Sequence, residues 1–191
     1  MREFSAKKAL LGKEIEIALK GIDGFMAEEL IDDVYDYGLS LQRIFNFFDS
    51  KSELNRLNAK RELDASKDLI SVIKKALKLC ELTRGQYDIT LGKQIIQRKK
   101  GLPIRPVNCS YKDIKITGNR IILTHEDAII DLGSIAKGYI VDKMVEHLIS
   151  RGVLSGLIDA RGDIRVFGKE SESVDIQHAR DKEKIIRTIE L

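Results

Sequence analysis

Apolar positions along the chain recur at two spacings, and these spacings divide it into helices and strands. Ile15, Ile17 and Leu19 alternate with polar neighbours and predict a strand over residues 9–19. Met26, Leu30, Val34, Tyr37, Leu41, Ile44 and Phe48 recur at helical intervals and predict a long helix over 23–47 that buries this face. Ser66 is placed to cap a second helix over 67–82. Its inner stripe is Leu69, Ile73, Ala76 and Cys80, its outer face carries Lys74, Lys75 and Lys78, and Gly85 ends it. Residues 114–123 alternate around Gly118-Asn119, the pattern of a hairpin. From Ala128 to Gly168 the order is a short apolar strand, a glycine-containing turn, a helix carrying Ile135, Val141, Val145 and Leu148, a stop at Gly152 and a second strand. Residues 174–177 and 185–191 read as two further strands, the last an exposed edge. The expected fold is mixed α+β: two long helices, a hairpin and a βαβ-like unit sharing one sheet. The expected organisation is a single domain over 1–191, with an internal boundary in the Pro103 and Pro106 loop near 98–112.

Composition narrows the functional classes. The 191 residues are 43% hydrophobic and 33% charged, as expected of a globular chain with a core. A net charge of +3, with basic residues scattered and no aromatic platform beside them, argues against nucleic-acid binding. The Arg98-Lys99-Lys100 run reads as a solvated loop. Cys80 and Cys109 lack metal or disulfide spacing, and His125, His147 and His178 are dispersed. Glu28, Glu29, Asp32 and Asp33 read as a solvated, dipole-complementing face, and Phe45, Phe47 and Phe48 as core. No stretch approaches the roughly 20 apolar residues of a membrane span, and the N-terminus has no apolar leader region. The expected location is therefore the cytoplasm, or an exported, membrane-associated site if a leader was removed.

The chemistry concentrates after residue 128. Asp131 ends the first predicted strand, Gly133-Ser134 opens the helix, and Lys137 lies one turn in. Free N–H groups at a helix start attract phosphate or carboxylate, and Lys137 adds a mobile cation. On spacing alone a second reading stands beside it, in which Gly133 and Gly138 let the helix pack closely and Lys137 is solvated.

Four ordered blocks carry a resemblance. Asp131-Leu-Gly-Ser-Ile-Ala-Lys-Gly-Tyr139, followed by Asp142, resembles the signature of the FAD:protein FMN transferases, the ApbE family. Ser52-Glu-Leu-Asn-Arg-Leu-Asn58 is similar to the family's Ser-Glu-Leu-x-x-Leu-Asn block. Gly85-Gln-Tyr-Asp88-Ile-Thr90-Leu-Gly92 is similar to its Gly-Ala-Phe-Asp-x-Thr-x-Gly block. Asp159-Ala-Arg-Gly-Asp163 is similar to a fourth, with Arg161 in place of a glycine.

The resemblance implies an ApbE-like, T-fold-related sheet and a Mg²⁺-dependent transfer of FMN from FAD to a Thr or Ser of a target flavoprotein, releasing AMP. It implies that Leu11, where the family has Met-Gly-Thr, and Asp131 contact the flavin nucleotide. Phe48, Gln86, Tyr87 and Asp88 would line the FAD site, and Lys137 would steady a phosphate or a neighbouring acid. Ser134 would give Mg²⁺ an oxygen. In the family the chain continues past this point into a region whose Asp and Thr hold the magnesium, so a C-terminally incomplete transferase is expected. A catalytically incomplete FAD-binding or scaffold protein is the alternative, and a homo-oligomer is compatible with either.

Overall fold

The computed structural model describes residues 3–169, 171–181 and 183–191. The chain divides into two compact units, Met1–Tyr37 with Val141–Leu191, and Gly38–Ile140.

The first unit is built on a four-stranded antiparallel sheet in the order β1-β2-β6-β7, from β1 (Glu3–Leu10), β2 (Lys13–Lys20), β6 (Gly156–Asp159) and β7 (Ile164–Phe167). Ile15, Ile17, Leu19 and Ile158 are buried. The strand predicted over 9–19 is in fact two, joined by a two-residue turn at Leu11 (φ 57°) and Gly12 (φ 84°). Two successive positive φ values give the hairpin geometry that matches strand twist, and the alternation N-terminal to the turn was too polar to announce β1. The two strands expected near the C-terminus form as β8 (Ser173–Gln177) and β9 (Ile185–Glu190), and they pair antiparallel with each other as a separate ribbon.

Helix α1 (Gly24–Phe45) spans nearly the length predicted for it, but its buried face is rotated. Ala27, Ile31, Val34, Leu41 and Phe45 are buried, whereas Met26 is 56% exposed. The run Phe25-Met-Ala-Glu-Glu-Leu-Ile31 offers two adjacent apolar stripes, and periodicity alone does not choose between them. Helix α5 (Ala136–Ser150) begins in the second unit and ends in the first. It stops at Gly152 (φ 87°), where the Val153 N–H donates to the Leu148 carbonyl. In its last turn His147 meets Asp33 at 2.9 Å and stacks on Tyr37, and Arg151 reaches the same carboxylate. The acidic face of α1 is thus ion-paired at Asp32 (with Lys8) and Asp33.

In the second unit, α2 (Glu53–Lys60), α3 (Lys67–Leu82) and α4 (Gly92–Lys99) accompany a three-stranded antiparallel sheet, β3-β5-β4. Its strands are β3 (Glu62–Asp64), β4 (Ile114–Thr117) and β5 (Arg120–Leu123). Ser66 caps α3 by accepting the Leu69 N–H at 3.2 Å, and Leu69, Ile73, Ala76 and Cys80 are buried as their spacing required. Arg98 and Lys99 end a helix rather than lying in a loop, and both remain exposed.

The extended piece predicted before the motif helix is reduced to a single residue. Ile129 bridges Leu91 in parallel, the turn runs through Gly133 and Ser134, and α5 begins at Ala136. The strand after the helix, β6, pairs antiparallel with β2 and β7 in the sheet of the first unit. The elements are therefore distributed over three sheets, not one. Among the described residues no helix is long and apolar enough to cross a membrane.

Candidate active site

The second unit builds a site by fastening one irregular segment, residues 123–135, to helices on its flanks. Helix α2 supplies most of the fastening. Ser52 caps it by accepting the Asn55 N–H at 3.1 Å, and Leu54 and Leu57 are fully buried. Asn58, on the same inward face, is 7% exposed. Its amide donates to the Ile130 carbonyl at 2.9 Å, and its oxygen accepts the Ile130 N–H at 2.8 Å. One side chain thus replaces a neighbouring strand and satisfies both backbone groups of a buried residue. Arg61, in the left-handed conformation that ends α2 (φ 69°), donates to the carbonyls of Ala128 at 2.6 Å and of His125.

On the other side lies the segment 89–92. The Asp131 N–H donates to the Ile89 carbonyl at 2.9 Å, and the Gly92 N–H to the Ile129 carbonyl at 2.8 Å. This short parallel ladder sets Asp131 and Ser134 in one cleft of ≈ 300 Å³ with Asp88 and the Gln94, Ile95 and Arg98 face of α4.

The predicted site residues fall in several places. Asp131 is half-buried and accepts the Gly133 N–H at 3.3 Å. Burial pushes its carboxyl above the ordinary carboxylate value, against the Gly133 N–H and the Lys99 charge, which pull it down. The Ser134 hydroxyl lies 2.9 Å from the Tyr87 hydroxyl, and burial pushes the Tyr87 phenol above its ordinary value. Asp88 lines the cleft, but its carboxylate is already engaged. Oδ1 accepts the Thr90 N–H and hydroxyl at 2.8 and 2.7 Å, and Oδ2 accepts the Tyr111 N–H at 2.9 Å. Its geometry is that of a clasp between two loops.

Gln86 is exposed in the turn after α3, and Lys137 is half-buried in the first turn of α5. Phe48, 61% exposed, lines a different cavity, a groove of ≈ 650 Å³ with Phe47, Asn58, Ile96 and Ile129. Asn55 displays it, donating to the Phe47 and Asp49 carbonyls at 2.6 and 2.8 Å and so fixing the turn between them. Leu11 belongs to the first unit, in the β1–β2 turn.

Asn55, Asn58 and Arg61 were not singled out from the sequence. The signal was present, because Asn58 follows Leu54 by four residues and so shares its inward helical face. A polar residue there needs buried partners. Among the described residues no group of three or more His, Cys, Asp or Glu could hold a metal ion. The cleft instead offers the Asp131 carboxylate beside the already engaged Asp88, the Ser134 hydroxyl and a basic helix end at Arg98.

The Asp131 carboxyl gives a pH prediction. The unfolded chain loses this proton near pH ~3.9, the folded chain at a higher pH. Across that interval the folded state binds more protons, so the group's contribution to stability falls as pH rises and then levels. Asp131→Asn is therefore expected to unfold at higher urea than the parent near neutral pH, with the gain shrinking toward pH ~4. A gain independent of pH would contradict this.

The ApbE family model matches residues 11–191. The chain is 26% identical over 150 residues to the FAD:protein FMN transferase of Vibrio cholerae, a match covering 70% of this chain and 45% of that protein. It is also 26% identical over 155 residues to the Haemophilus influenzae protein of that name, covering 69% and 44%. The matched region is less than half the length of these relatives. Among solved structures, the ApbE protein of Thermotoga maritima shares the fold at TM-score 0.85 and 22% identity, covering all of this chain and 68% of that one. The flavin transferase ApbE of Vibrio cholerae does so at 0.75 and 20%, covering 100% and 67%.

Proposed function

We propose, because the chain belongs to the ApbE family, that it acts in the transfer of FMN from FAD to a Thr or Ser hydroxyl of a target flavoprotein, with release of AMP. The observation that carries this reading is the convergence of Asp88, Asp131 and Ser134 from two separated sequence blocks on one cleft. In the reaction the acceptor oxygen bonds to the FMN phosphorus, the bond from that phosphorus to the AMP oxygen breaks, and AMP leaves with its electron pair. The hydroxyl proton is lost as the new ester forms. Such a step depends on alignment and charge neutralisation more than on covalent help from the protein.

The family also implies Mg²⁺. Mg²⁺ is commonly held by one or two carboxylates together with substrate phosphates and water. The residues that would hold it are Ser134, through a hydroxyl or carbonyl oxygen, and beside it the half-buried carboxylate of Asp131, which the resemblance places against the flavin nucleotide. Bound there, the ion would neutralise phosphate charge as a Lewis acid. The chain's own residues have separate tasks. Asn58 and Arg61 hold the backbone that carries Asp131. Tyr87 orients the Ser134 hydroxyl through their hydrogen bond. Lys137 steadies a phosphate from the first turn of α5.

Incubation with FAD, Mg²⁺ and a co-expressed acceptor protein should yield an acceptor heavier by one FMN, together with free AMP. Asp131→Ala and Lys137→Ala should each lower the adduct by at least about 100-fold, the scale of a lost transition-state contact. FAD retained without AMP or adduct would replace this reading with that of a binding module. Failure to retain FAD at all would overturn it.

A further inference from the structure

The basic run Arg98-Lys99-Lys100 plays no part in the function described so far, yet α4 places it between the two cavities of the second unit. Arg98 lines the cleft that holds Asp131 and Ser134. One residue on, Lys99 and Lys100 line the larger groove beside Phe48. Successive residues on a helix point about 100° apart, so a single helical turn presents a cation to each side. Lys99 faces the groove side of this helix end. Its ammonium sits 3.4 Å from the centre of the Phe48 ring.

A dinucleotide has the matching layout, two ring-bearing ends joined by a pyrophosphate. We propose that Arg98 and Lys99 bind phosphate oxygens of the dinucleotide's pyrophosphate beside the Asp131 and Ser134 cleft, with one aromatic ring system in the Phe48 groove. This assignment rests on the FAD reading above. Arg98 provides a planar fork suited to two phosphate oxygens. Lys99 exchanges the exposed ring face of Phe48 for a phosphate when a planar ligand stacks on that face, since an exposed cation–π contact is the weaker of the two interactions.

The bland role for these residues is to complement the negative end of the α4 dipole. The two roles predict different results. Dipole complementation affects helix stability and leaves the affinity of the folded protein for FAD untouched. Pyrophosphate binding affects affinity and its dependence on salt.

The test is FAD titration by flavin fluorescence at low and high salt, on the intact chain. It compares the parent with Arg98→Gln, Lys99→Met and the double variant. Lys78→Met, on the exposed face of α3, controls for net charge. Each single change at Arg98 or Lys99 is expected to weaken FAD binding about tenfold, as for a lost charge-assisted hydrogen bond. The double variant should show a flatter salt dependence, and Lys78→Met should match the parent. Equal affinity and equal salt dependence in the parent and a folded double variant would overturn the proposal while leaving FAD binding intact. A parent that does not bind FAD would overturn both.

Discussion

Gly92→Ala is expected to destabilise the protein by about 2 to 3 kcal/mol, the cost of forcing atoms into a closed contact. A Cβ at this position would lie 2.6 Å from the Ile129 carbonyl oxygen, 2.8 Å from the Ile129 Cγ2 and 3.1 Å from the Phe47 ring. Two of these three neighbours cannot swing aside. The carbonyl accepts the Gly92 N–H itself, and Ile129 is held by Arg61 and Asn58 through the residues on either side of it. Alanine is the better helix former by at most ~1 kcal/mol, and less at the first residue of α4, so the steric term wins. Because the displaced segment is the one that leads to Asp131, loss of the proposed FAD retention should accompany loss of stability. Urea denaturation with an unchanged slope reads the first effect, and flavin fluorescence on the folded variant reads the second. An alanine variant as stable as the parent would show that α4 and residue 129 do not approach in this way.

Asn58→Ala is expected to cost about 2 to 4 kcal/mol. Two hydrogen bonds to the Ile130 backbone are lost, each worth ~1 kcal/mol net. Because what remains is a buried N–H and a buried carbonyl with no partner, each lost bond costs ~1–2 kcal/mol in place of that net figure. Asn58→Leu should be no better, because an apolar side chain fills the space and still leaves both backbone groups unmet. Asn108→Ala, at an exposed loop position, should fall within ~0.5 kcal/mol of the parent. Equal midpoints for the Asn58 and Asn108 variants in urea would remove Asn58 from its assigned role.

Both effects come from the same feature. The 123–135 segment has little regular structure of its own, so its shape is imposed by side chains from α2 and by the backbone of 89–92. Asn58 and Gly92 lie 72 and 37 residues before the Ile130 and Ile129 backbone groups that they fit. No local pattern in the sequence connects these pairs. The blocks that carried the family resemblance contain both residues, yet resemblance marks them without stating what they do.

The sequence by itself determined the class of fold and its longest elements. Alternation and helical spacing are local, and they sufficed for α3 with its Ser66 cap, for the β4–β5 hairpin around Gly118-Asn119, and for the existence of β8 and β9, though not for their pairing. It also determined the family, because four ordered blocks of specific residues are not produced by periodicity. Only the tertiary structure decided which of two apolar stripes of α1 is buried, and that Ile129 forms a lone bridge instead of a strand. It alone decided that Asp88 spends its carboxylate on Thr90 and Tyr111, while Asp131 stays half-buried with a raised pKa. The physical reason is the same in each case. Burial and hydrogen-bond satisfaction depend on groups far apart in the chain, and a residue's neighbours in sequence do not specify them.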